Sequence, residues 1–200
     1  SDMPKVLHLL GEMSLVARVI KKVSVLNPSR ITIIVGHKAE MVKEDLNKYF
    51  EKYPVKAKVV FVTQKLLKGS GRAAQEAAPE IKKCPHTLVL CGDAPLFKTE
   101  TASKMRAFYF KNRPDCLVMT ADLAEPGSYG RIKRTRAGAV EAIIEASDAS
   151  PDELAIKEVN SGAYFFKTSA LLKAIKYLKR QGPKKEYYLT DSVENILKAG

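Results

Sequence analysis

The sequence predicts an α/β fold: a mostly parallel sheet flanked by helices, with a small β-hairpin region in the second half. Three observations lead there. Apolar residues alternate along the chain between helical spacing and short β-branched runs. Those runs are apolar on consecutive residues, the pattern of strands covered on both faces by helices. And 200 residues, 46% apolar and 28% charged, are enough for one sizeable core without disulfides or structural metal.

Taken in order, Leu15, Val16, Val19, Ile20 and Val23 recur at helical spacing, and Arg30–Val35 follows as a β-branched strand ending at Gly36. Met41, Val42, Leu46 and Phe50 mark a second amphipathic helix, with a strand at residues 58–63 behind it. Residues 70–78 are Ala-rich and helical in character, and residues 87–91 form a third strand that breaks at Gly92. Thr99 caps a helix carrying Met105 and Phe108, before a fourth strand at residues 116–121. In the second half, residues 129–133 and 139–145 pair as a hairpin around Ala137 and Gly138, and residues 161–166 add a strand. A helix starting at Thr168 or Ser169 carries Leu171, Leu172, Ile175 and Leu178. Asp191 with Glu194 three residues on reads as a capping box that opens the last helix. There is no repeat, linker or low-complexity segment, so a single domain over residues 1–200 is expected.

Lys and Arg number 34 against 22 Asp and Glu, a net charge of +12. The basic residues are dispersed, at Lys21-Lys22, Lys82-Lys83, 131–136, 173–180 and Lys184-Lys185, with no matching series of aromatics. That distribution fits solvated faces and attraction for small phosphorylated ligands better than a nucleic-acid track. The three cysteines, Cys84, Cys91 and Cys116, are odd in number and widely spaced, which argues against a disulfide scaffold or zinc site and for a reducing compartment. No apolar run approaches the roughly 18 residues of a membrane span, so no membrane partner and a cytoplasmic location are expected. His8, His37 and His86 show no ligand spacing, and no Ser/His/Asp or Cys/His constellation is present.

In open parallel sheets ligands sit outside the carboxyl ends of the strands. After the strand at 58–63 comes Gln64-Lys-Leu-Leu-Lys-Gly69-Ser70-Gly71. Its glycines let backbone approach a ligand and Ser70 leads a helix N-terminus toward an anion or base edge, or the loop is only a tight connection. After the next strand comes Cys91-Gly92-Asp93-Ala94-Pro95-Leu96, whose aspartate is either a hard-cation ligand or a turn cap.

Together with Pro4-Lys5-Val6-Leu7-His8, Gly127-Ser-Tyr-Gly130-Arg-Ile, Glu158-Val-Asn160-Ser-Gly162 and Glu186-Tyr-Tyr-Leu-Thr-Asp191, these two segments stand in the order found in sugar-1-phosphate nucleotidyltransferases. The chain resembles that family over essentially its whole length. It is most similar to the uridylyltransferase domain of the bacterial bifunctional enzymes that make UDP-N-acetylglucosamine, a cell-wall precursor.

The resemblance implies a Rossmann-like, GT-A-like nucleotidyltransferase fold and Mg²⁺-dependent transfer. A sugar-1-phosphate oxygen would attack the α-phosphorus of UTP and pyrophosphate would leave. It implies that Lys5 contacts phosphates and Asp93 binds Mg²⁺, the two catalytic positions. Gln64, Gly69 and Ser70 would recognise uracil, with Cys91 and Gly92 also at the nucleotide. Gly130, Glu145, Asn160 and Thr190 would hold N-acetylglucosamine. UTP and N-acetylglucosamine 1-phosphate are the implied small-molecule partners. A sister enzyme with another sugar or base, or a non-catalytic nucleotide-sugar binding module, stands as the alternative.

The family pattern also places a glycine-rich phosphate loop upstream of Pro4 and an asparagine metal ligand downstream of Gly200, so these 200 residues alone are expected to be inactive. Cys91 stands where tyrosine is common, and Ser161 where threonine is usual.

Overall fold

A computed structural model describes residues 3–199. After a 3-10 turn at Lys5–Leu7 come strands β1 (Leu9–Leu10) and β2 (Met13–Ser14), helix α1 (Leu15–Ser24), β3 (Arg30–Val35), α2 (Ala39–Lys52) and β4 (Lys58–Thr63). Then follow α3 (Ser70–Ile81), β5 (His86–Val89), α4 (Thr99–Asn112), β6 (Cys116–Asp122) and the strands β7 (Arg131–Arg134) and β8 (Val140–Ile144). The last elements are α5 (Pro151–Leu154), β9 (Glu158–Lys167), α6 (Thr168–Ala174), β10 (Arg180–Gln181), β11 (Glu186–Tyr187) and α7 (Asp191–Ala199). The chain divides into two compact units, residues 3–67 with 90–113 and residues 68–89 with 114–199.

In the first unit, β3 and β4 form a parallel ladder running from Arg30 against Lys58 to Val35 against Thr63. Both strands are β-branched, and the connection between them carries α2, as a parallel pair requires. Helix α1 starts at Ser14, whose Oγ accepts from the Ala17 N–H at 3.3 Å and donates to Asp45 Oδ2 at 2.7 Å. One hydroxyl thus caps α1 and ties it to α2. Val16, Ala17 and Ile20 of α1 meet Ile33 and Val35 of β3 and Val42, Leu46 and Tyr49 of α2 in one core. Gln64 N–H donates to the Val35 carbonyl at 2.7 Å, so the ends of the two strands stay in register and Gln64 leaves the carboxyl edge of this sheet.

The second unit is organised by β9. It pairs with β6 along one edge, and with β5 and β7 along the other, and β7 continues the sheet to β8. Tyr164 and Phe166 of β9 face Leu171, Ile175, Leu178, Leu189 and Val193, with Ala74 of α3 and Ile132 and Ile143 of the hairpin completing the core.

The α/β class holds, but the strand directions need correction. Among the described residues β3–β4 is the parallel ladder, and the five-stranded sheet is antiparallel throughout. Strands β5 and β6 do run the same way, as the alternation of elements suggests. Neither pairs with the other, because β9 inserts between them antiparallel to both. Local pattern reads the longer strands but misses the two-residue strands β1, β2, β10 and β11, starts β9 at 161 rather than Glu158, and says nothing of which later strand will come between two earlier ones.

Smaller differences concern ends. The strand expected at 87–91 stops at Val89, and α4 is preceded by Lys98 with no side-chain cap, so Thr99 is its first residue rather than its cap. The helix from Thr168 ends at Ala174 and tightens into a 3-10 turn at Ile175–Tyr177. Asp191 accepts from Gln181 Nε2 at 2.9 Å; the reciprocal capping box lies at Ser150 and Glu153, flanking Pro151. No helix among the described residues is long and apolar enough to cross a membrane.

Candidate functional site

Five of the expected site residues lie in the first unit. Lys5, in the 3-10 turn, and Asp93, in the loop after β5, form an ion pair with Nζ 2.8 Å from Oδ2. Lys5 is largely exposed and Asp93 about one-third exposed, so both heads remain accessible to a ligand. Gly92 is packed next to them, the space above its Cα bounded by Val16 and Val6 at 3.5 and 3.6 Å. Cys91 is exposed. The Gln64 Nε2 donates to the Leu66 carbonyl at 2.9 Å, which folds the amide over its own loop. Gly36, at the end of β3, leaves room there: a Cβ on it would stand 2.6 Å from the Leu67 side chain.

The other six lie in the second unit. The Gly69-Ser70-Gly71 segment is clamped onto residues 186–189. Tyr187 N–H donates to the Lys68 carbonyl at 2.8 Å, and Leu189 N–H donates to Ser70 Oγ at 3.1 Å. A Cβ on Gly69 or Gly71 would stand 2.5 or 2.9 Å from the Tyr187 carbonyl oxygen. The glycines that read as openings for a ligand are therefore also demanded by backbone packing against backbone. Two distant sequence motifs prove to be one structural unit. Ser70, whose Oγ accepts from Leu189, retains its hydroxyl hydrogen as a donor.

Glu145, Thr190 and Gly130 also come together. Buried Thr190 donates from Oγ1 to Glu145 Oε1 at 2.9 Å, while Oε2 of the same carboxylate faces Gly130, 3.6 Å from where a Cβ would be. The Asn160 N–H donates to the Gly130 carbonyl at 2.9 Å, so β9 fixes the loop before β7. The Asn160 side chain is committed to its own strand. Its Oδ1 accepts from Gly162 N–H at 3.0 Å and its Nδ2 donates to the Tyr164 hydroxyl. These bonds shape the irregularity where β9 carries more residues than β6 between Val118 and Thr120.

The two sets differ in electrostatics. Glu194, Glu145 and Asp148 stand around Asp191. Burial, then repulsion from Glu194, Glu145 and Asp148, pushes the Asp191 carboxyl up to about 6, against a lowering by the Gln181 hydrogen bond. Burial also raises the Tyr188 hydroxyl, with Asp148, Glu145 and Glu186 adding to it and a Ser147 hydrogen bond opposing. Such a neighbourhood accepts hydroxyl hydrogens and repels phosphate. The Lys5 ammonium in the first unit offers the opposite, a positive charge for an anion. Burial drives the Cys116 thiol up to about 12, which removes it as a thiolate nucleophile.

One residue was misjudged from sequence. Arg131, read there as part of a solvated basic run, is only 3% exposed. Its place in the Gly127-Ser-Tyr-Gly130-Arg-Ile motif was the available signal.

Comparisons with known proteins agree with this picture. The family model described as nucleotidyl transferase matches residues 1–200. The bifunctional protein GlmU of Streptococcus agalactiae serotype III is 35% identical over 201 residues, covering 100% of this chain and 42% of that one. GlmU of Nitrosococcus oceani is 37% identical over 200 residues, again covering 100% of this chain and 42% of the relative. GlmU of Burkholderia mallei is 38% identical with the same coverage. The chain thus spans about two-fifths of the length of these curated relatives. Among solved structures, UDP-glucose pyrophosphorylase complexed with UDP-glucose superposes with a TM-score of 0.80 over 99% of this chain and 80% of its own, at 16% identity. A putative glucose-1-phosphate thymidylyltransferase from Bacillus anthracis gives 0.76 over 98% and 75%, at 20% identity. At those identities the structures share the fold.

Proposed function

The chain belongs to the nucleotidyl transferase family, and from that premise we propose that its protein makes UDP-N-acetylglucosamine and pyrophosphate from UTP and N-acetylglucosamine 1-phosphate. The observation that carries the reading is the Lys5–Asp93 pair: two residues from separate motifs, one suited to phosphate and one to a hard cation, meet at 2.8 Å. The 35–38% identity to GlmU across the chain supports the choice of base and sugar.

In this reaction an oxygen of the sugar 1-phosphate attacks the α-phosphorus of UTP, a new P–O bond forms, and the bond to the pyrophosphate oxygen breaks. Catalysis is then mainly alignment of two anions and neutralisation of charge. Lys5 holds phosphate oxygens and offsets their charge. Gln64, Gly69 and Ser70 read uracil, the Ser70 hydroxyl donating while its oxygen stays on Leu189. Cys91 and Gly92 border the nucleotide. Glu145 accepts sugar hydroxyl hydrogens, and Gly130, Asn160 and Thr190 fix where that carboxylate and its loop stand.

Nucleotidyl transferases of this kind generally depend on a divalent metal. Among the described residues no group of three or more His, Cys, Asp or Glu is gathered to hold one. A single carboxylate joined by substrate phosphates and water suits Mg²⁺, which dehydrates reluctantly, so Asp93 is the residue proposed to bind it. Bound there, the ion would neutralise charge on the transferring phosphate. Small-molecule substrates, with no nucleic acid or membrane, and a cytoplasmic location complete the proposal.

Competition among UTP, CTP, ATP and dTTP at equal concentration tests base choice. UTP should dominate the product, because the wrong base leaves buried donors and acceptors unpaired. Equal use of ATP or dTTP would contradict the uracil assignment.

A further inference from the structure

We propose that Arg131 is a positioning residue for the sugar subsite, acting through Gly130. The inference rests on the function proposed above. The Arg131 guanidinium is buried, and its bonds go to backbone carbonyls rather than to a carboxylate. Nη2 donates to the Gly127 carbonyl at 3.0 Å, Nη1 donates to the Tyr129 carbonyl, and Nε donates weakly to the Leu154 carbonyl at 3.4 Å. Arg131 therefore folds the four residues just before it back around its own side chain.

That loop ends at Gly130, which forms a wall of the Glu145 environment. Gly130 lies against Glu145 Oε2 and its carbonyl accepts from Asn160. The backbone of Arg131 pairs with Ile144 of β8 and Val159 of β9, one residue from Glu145 and from Asn160 respectively. The Arg131 side chain, together with the Asn160 bond to Gly130, thus sets the distance between the loop and the carboxylate. The fork geometry matters: donors on separate nitrogens reach separate carbonyls, whereas a lysine brings its three hydrogens on one atom. The loop also needs Gly127, whose φ of +52° is a left-handed conformation with nothing within 4 Å of a would-be Cβ.

Two variants of the full-length protein test this, Arg131→Lys and Gly127→Ala. The second disturbs the loop without touching the core. Both should raise KM for N-acetylglucosamine 1-phosphate by about tenfold, as expected when a binding wall shifts by a fraction of an ångström to an ångström. KM for UTP should stay within about twofold, and a melting scan records any loss of fold. A merely structural role would lower the amount of active enzyme, and so kcat, with both KM values unchanged. An unchanged sugar-phosphate KM in both variants, or equal rises in both substrates' KM, would overturn the proposal. Absence of turnover in the unaltered protein with UTP and this sugar phosphate would overturn the functional reading first, and this inference with it.

Discussion

Replacing Asp93 by Asn in the full-length protein should lower turnover by roughly 10²–10⁴-fold, while the melting temperature changes little. An amide of the same shape keeps the loop but gives up the negative charge that holds a hard cation. Lost charge stabilisation of several kcal/mol translates to that range at tenfold per ~1.4 kcal/mol. Stability should be spared because the carboxylate is partly exposed and its ion-pair partner is Lys5, itself largely in solvent. Pyrophosphate release at saturating Mg²⁺ measures the effect. Near-normal rates would remove Asp93 from the reacting centre.

Gly69→Ala should be among the most destabilising single substitutions in the second unit, by about 3 kcal/mol or more. Gly69 has φ +88° and ψ 173°, a region essentially reserved for glycine. Its missing Cβ would also stand 2.5 Å from the Tyr187 carbonyl oxygen and 3.0 Å from Glu186 Cβ. Backbone strain and collision add, and neither neighbour is the loose end of a flexible side chain. Separation of the loop from residues 186–189 would also break the Leu189-to-Ser70 bond. Urea unfolding followed by circular dichroism reads the loss. An unchanged midpoint would show that the clamp is not rigid.

The elements were legible wherever the period was strong. The Arg30–Val35 and Lys58–Thr63 strands are rich in β-branched residues and match the structure to the residue. The hairpin was legible for the same reason, with Ala137 and Gly138 supplying its turn. Direction was not. The insertion of β9 between β5 and β6 depends on which apolar edge a late strand covers, and no local spacing encodes that. Among site residues, Lys5 and Asp93 were named from separate motifs, and their meeting is a product of the fold. Gly69 and Ser70 were singled out as a loop suited to a ligand, yet the demand from Tyr187 could not be foreseen, because it comes from a backbone carbonyl more than a hundred residues away. Arg131 was hidden by its chemistry. A guanidinium in a basic run reads as solvent-facing until the carbonyls that bury it are seen.

Nucleotidyl transfer to N-acetylglucosamine 1-phosphate is read directly by ³¹P NMR of the full-length protein with UTP, this sugar phosphate and Mg²⁺. The predicted result is equimolar appearance of UDP-N-acetylglucosamine and pyrophosphate, abolished by chelation of the metal. Release of phosphate without a nucleotide sugar, or no reaction while another sugar phosphate is consumed, would contradict it.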